Sequence, residues 1–94
     1  MRLEYSELAT QDILEAWTYY ENQQSGLGTR FLQMLDRVLQ RVKTSPQHYS
    51  YIDATNTRRD VVLRPFPYLI VFEVFNNAVL IHRVFNTHQN PDSL

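Results

Sequence analysis

The apolar positions of this chain change period partway along. From Ala9 they recur every three or four residues, at Ala9, Ile13, Ala16, Trp17 and Tyr20. That spacing places them on one face of an α-helix. Ser6 stands ahead of them as an N-cap, and Glu7 follows at the positive end of the helix dipole. The helix is expected to run to about Asn22. Gln23-Gln24-Ser25-Gly26 breaks the pattern, and a second helix follows with Phe31, Leu35, Val38, Leu39 and Val42 on its inner face. Lys43 suits the negative end of its dipole, and Pro46 stops it. Two helices joined by so short a break form an antiparallel hairpin.

The last third reads as strands. An arginine-bearing run begins at Arg58, a Phe66-Pro67-Tyr68 corner follows, and a hairpin pairs Tyr68–Phe75 with Ala78–Phe85. Both arms are rich in Val, Ile and Phe, and Asn76-Asn77 between them tolerates the positive φ of a tight turn. Pro65 and Pro67 lack an N–H donor, so neither belongs inside a ladder. Arg2–Tyr5 is a short opening strand, with Leu3 and Tyr5 on one face. The 45–57 stretch takes no firm assignment. The expected fold is α+β: an N-terminal strand, an antiparallel helical hairpin, then a three-stranded antiparallel meander forming one sheet, in the order β-α-α-β-β-β. The hairpin arms are apolar on both faces, more than helices on one side require. The tail, the 45–57 loop or another chain, as in a homodimer, would cover the second face.

Composition sets outer limits. A chain of 94 residues has room for one domain. Its 44% apolar and 13% aromatic content is that of a globular chain. There is no cysteine, hence no disulfide framework or thiolate metal site. The three separated histidines lack zinc-site spacing, and no cofactor or metal is expected. No apolar run approaches the about 20 residues that span a bilayer, and the start has no secretory apolar core. The expected location is the cytoplasm. A net charge of −1 argues against a bulk or sequence-specific nucleic-acid binder. Residues 1–46 balance five basic against six acidic side chains, and residues 57–94 four against three, so any electrostatic function is local.

Several strings, in order, resemble one family. They are Leu3-Glu4-Tyr5-Ser6, Asp12-Ile13 and Trp17-Thr18-Tyr19-Tyr20-Glu21, then Gly26-Leu27-Gly28-Thr29-Arg30-Phe31-Leu32 opening the second helix. Ser45-Pro46, Arg58-Arg59, Phe66-Pro67-Tyr68 and the close Val84-Phe85-Asn86-Thr87-His88-Gln89-Asn90-Pro91 follow. Together they span nearly the whole chain and resemble the RelE/ParE superfamily of type II toxin–antitoxin toxins, closest to its ParE-like branch. The resemblance implies a small toxin neutralised by a cognate antitoxin. ParE-type toxins poison DNA gyrase, as in plasmid stabilisation, whereas RelE-type toxins cleave mRNA on the ribosome. A third reading is a degenerate relative that keeps the fold and antitoxin binding but poisons nothing.

RNA cleavage by 2′-hydroxyl attack needs a proton acceptor, a proton donor and cations on the phosphate. This chain has one lysine, Lys43, and no tyrosine after Tyr68. The close carries Asn86, His88, Gln89 and Asn90 where the family tends to place His, Arg, Arg and Asp. The expectation is therefore a protein-binding toxin rather than an enzyme. Target- or antitoxin-binding candidates are Arg58, Arg59, Arg64, Arg83 and His88. A ribonuclease would use His88 or His82 as proton carrier and Arg83 among its phosphate clamps. An antitoxin segment is expected to lie across the sheet over Arg59, Arg64 or Arg83, matching arginines with carboxylates.

Overall fold

A computed structural model of the chain describes residues 1–88. The Gln89-Asn90-Pro91 end of the closing string lies outside the described residues. The elements are β1 (Arg2–Tyr5), α1 (Glu7–Gln23), α2 (Leu27–Thr44), a 3-10 turn (Pro46–His48), β2 (Arg58–Val62), β3 (Tyr68–Phe75) and β4 (Ala78–Asn86). The sheet order is β1-β4-β3-β2. β2, β3 and β4 form the expected antiparallel meander, and β1 adds to β4 in parallel, so the sheet is mixed.

Local chemistry explains the element ends. Ser6 Oγ accepts from the Ala9 N–H at 3.0 Å and donates to the His82 carbonyl at 2.7 Å, so one hydroxyl caps α1 and ties it to β4. α2 has no side-chain cap of its own, because its N-cap is Gly26 at φ 90°. The Glu21 carboxylate of α1 does that work instead, accepting from the Gly26 and Gly28 N–H groups at 3.0–3.1 Å. Negative charge belongs at a helix N-terminus, and here it also fixes the bend of the hairpin. A Cβ on Gly28 would lie 2.8 Å from the Trp17 carbonyl oxygen and indole, so the close crossing of the helices requires glycine there. Asn76 and Asn77 have φ of 51° and 57°, the left-handed pair of a two-residue hairpin turn.

Both helices pack on one side of the sheet. Phe31, Leu35, Val38, Leu39 and Val42 of α2 meet Ile70, Phe72, Val79, Ile81 and Val84 of the strands in one core. Aromatic rings fill one end of it: Tyr20, Phe31, Phe66 and Tyr68 have centroids 4.9–6.1 Å apart. Tyr68 is 5% exposed, and burial, with Tyr20 beside it, pushes its phenol up to about 12. An unfolded tyrosine loses its proton near about 10. Between those two values the unfolded chain binds fewer protons than the folded one, so stability must fall as pH rises. Unfolding measured from pH 9 to 12 should show a loss beginning near about 10, and Tyr68→Phe should flatten it. An equally steep loss in that variant would assign the effect elsewhere.

Candidate functional site

The register divides the sheet into two faces. Phe72, Ile70 and Val84 turn toward the helices. Residues paired across the strands share a face. The opposite face therefore carries the row Arg58, Glu73, Leu80, the row Asp60, Val71, Arg83, and the row Val62, Leu69, Phe85. No helix covers it. His82 is the extra residue at a bulge, where Val71 pairs with Arg83 and Phe72 with Ile81.

Arg83 and Arg58 line one cavity on this face with Ile52, Asp53 and Val71, a space of about 270 Å³. Arg83 is held from α1: its Nε and Nη2 donate to the Asp12 carboxylate at 2.7 and 3.0 Å. The same carboxylate accepts from the Val84 N–H at 3.0 Å, where β1 has ended and that edge of β4 has no strand partner among the described residues. The Asp12 bond raises the Arg83 guanidinium above its usual range. The Arg58 guanidinium is exposed and makes no hydrogen bond or ion pair among the described residues. Its backbone is fixed: the Asp53 carboxylate accepts from the Thr57 and Arg58 N–H groups at 2.9 and 3.2 Å. Those bonds, that from Thr57 foremost, hold the Asp53 carboxyl below its usual range. Asp60, on the same face, is shifted upward by burial.

The other candidates lie apart. Arg59 points to the helix side, donating to the Tyr49 carbonyl and the Tyr51 hydroxyl, with its guanidinium 3.8 Å from the Tyr51 ring centre. It organises the 45–57 stretch, where Tyr49 also packs on Phe72. Arg64 is exposed in the turn before the cis peptide to Pro65. His88 is exposed beyond β4, with its N–H on the Asn86 side chain. Arg58 and Arg83 thus come together, and Arg59, Arg64 and His88 do not join them.

Two further residues matter on this face, and no local pattern in the sequence marks them. Asp12 positions Arg83 from 71 residues away in the chain. Glu73 meets His82 Nε2 at 2.6 Å, with both side chains about one-fifth exposed. The hairpin turn alone predicts Glu73 opposite Leu80, and only the bulge slants His82 toward it. Among the described residues no group of three or more His, Cys, Asp or Glu could hold a metal ion, and no helix is long and apolar enough to cross a membrane.

Comparison with known proteins agrees with this architecture. The family model described as the ParE toxin of the type II toxin–antitoxin system parDE matches residues 3–91. No curated protein matches the chain. Among solved structures, a chain of the chromosomal ParDE toxin–antitoxin system from P. aeruginosa superimposes with a TM-score of 0.68 at 17% identity. The match covers 94% of this chain and 97% of that one, and at such low identity it speaks for the fold alone. With the family model spanning almost all of the elements described above, the chain belongs to the ParE toxin family of type II toxin–antitoxin systems.

Proposed function

We propose that the chain acts in the cytoplasm as a ParE-type toxin that binds and poisons DNA gyrase through the open sheet face, and that a cognate antitoxin neutralises it by covering that face. The observation that supports this most is the family match over residues 3–91, joined to a sheet face that carries no helix among the described residues. That face presents a guanidinium fixed at Arg83 and an exposed one at Arg58 that makes no bond among the described residues, beside Val71 and Phe85, which are almost wholly buried. Such guanidiniums suit a protein partner, where arginine is a frequent anchor of binding energy. Gyrase as the target follows from the family and not from the geometry.

One observation favours a second reading. The Glu73–His82 pair lies on the same face as Arg58 and Arg83. A histidine oriented by a carboxylate beside two arginines is a set that an RNA-cleaving toxin could use. It would make His82, rather than His88, the proton carrier.

Induced expression in a sensitive bacterium separates the readings. The gyrase reading expects growth arrest, filamentous cells and gyrase-linked DNA breaks, with no codon-positioned mRNA cuts on purified ribosomes. Arg58→Ala should weaken target binding by about 10- to 100-fold, the usual range for removing a charged anchor. His82→Gln should leave toxicity intact. Codon-positioned cuts that vanish in the His82 variant would establish the ribonuclease instead. A chain that arrests nothing would be the degenerate relative.

A further inference from the structure

The two helices of the hairpin differ in charge. α1 carries Glu7, Asp12, Glu15 and Glu21 and no basic residue. α2 carries Arg30, Arg37, Arg41 and Lys43 against Asp36 alone. With a net charge of −1 for the whole chain and +3 for α2, everything else sums to −4. The bland explanation is that α1 and α2 attract each other, but no acid of α1 pairs with a base of α2 among the described residues. Glu7 sits in its own first turn, Asp12 holds Arg83, and Glu21 caps the start of α2 through backbone N–H groups.

Arg30, Arg37 and Arg41 are exposed, and their guanidiniums make no hydrogen bond or ion pair among the described residues. At about 100° per residue they fall on one line of the helix, spread over roughly 16 Å. Two features of the line work against the helix. Arg37 and Arg41 are like charges at i and i+4, and Arg30 lies in the first turn, where the dipole disfavours a cation. Only Arg41 suits its end. The line ends at a cavity of about 360 Å³ lined by Arg41, Thr44, His48 and Tyr49, among others.

We infer that this arginine line on α2 is a second docking surface, and that its occupant is an acidic segment of the cognate antitoxin. The inference rests on the toxin–antitoxin reading for the identity of the partner. Charge complementarity selects the occupant's chemistry. Carboxylates at i, i+4 and i+11 of an antiparallel helix would meet Arg41, Arg37 and Arg30 in turn, and an apolar side chain past the end would enter the cavity beside Tyr49. A long nucleic acid is the poorer fit, because the −4 borne by the rest of the chain repels a polyanion that overruns the line. The molecule measures 39 × 29 × 23 Å, so about 7–9 residues of extended chain carry an antitoxin from the open sheet face round to α2. Two contacts linked in this way strengthen each other through effective concentration.

The test uses the full chain and the small protein encoded beside it, titrated calorimetrically at several salt concentrations. The triple variant R30Q/R37Q/R41Q should keep or raise its melting temperature, since a like-charge pair is removed. It should bind the antitoxin at least about 30-fold more weakly, with a flatter salt dependence, because two linked contacts have become one. The single reversal R37E should lie between wild type and the triple variant. If wild type binds and the triple variant stays within threefold of it, the docking line is refuted while the toxin–antitoxin reading stands. If wild type does not bind, both fall. A parallel titration with a 20-base-pair DNA duplex completes the test: binding by wild type that is lost in the triple variant, with antitoxin affinity unchanged, would make the line a phosphate track and overturn the inference.

Discussion

Phe31→Ala should remove about 3–5 kcal/mol of stability, the range for truncating a fully buried aromatic. Phe31 is 0% exposed. Its ring lies 5.6 Å from that of Tyr20, 5.2 Å from Phe66 and 5.1 Å from Tyr68. These contacts join α1, α2, the Pro65–Pro67 corner and β3, so the cavity left by alanine has walls on four segments and cannot close by moving one of them. Small domains hold only about 5–15 kcal/mol in total. The variant is therefore expected to unfold partly at growth temperature, with a melting point lowered by roughly 4–8 °C for each kcal/mol lost. Thermal and urea unfolding measure it directly. A melting temperature within a few degrees of wild type would show that the aromatic cluster does not hold the hairpin to the sheet.

Asp12→Ala should lower stability by about 2–4 kcal/mol, because one carboxylate serves both a mostly buried guanidinium and a backbone N–H. The Arg83 and Asp12 side chains are 25% and 13% exposed, so water replaces the lost bonds poorly. Alanine leaves the Val84 N–H unsatisfied at the edge of β4 and removes the contact that aims Arg83 from α1. Asp12→Asn keeps one acceptor oxygen and should cost less than half as much. The functional consequence distinguishes this bond from ordinary packing. If Arg83 acts only when held in place, Asp12→Asn should weaken antitoxin or target binding more than it lowers the melting point. Stability and binding falling together, in proportion, would mean that Asp12 is purely structural.

The two helices, their inner faces, the N-cap at Ser6, the stop at Pro46 and the Asn76-Asn77 hairpin were all legible in the sequence. Each depends on residues within one or two turns of chain, where period, capping and turn chemistry act directly. The family resemblance was legible as well, because its strings keep their order over nearly the whole chain. The arginines were legible only as a group. Four of them lie in or beside the late strands, yet strand alternation sends Arg59 to the helix side and Arg58 to the open side.

Local pattern was enough to place the helices and strands, though not the 45–57 stretch, and to show which family this order of elements resembles. Tertiary structure alone decided the rest. It set the parallel addition of β1 to β4, the capture of Arg83 by Asp12, the Glu73–His82 pair and the borrowed cap that Glu21 gives α2. Three of these four join residues far apart in the chain or displaced by a bulge. Their partners are chosen by where whole elements come to rest, a choice made by burial of the shared apolar face rather than by any local pattern. Glu21 is the near exception: its partners lie only five and seven residues on, but they come within reach only after the hairpin has closed at Gly28.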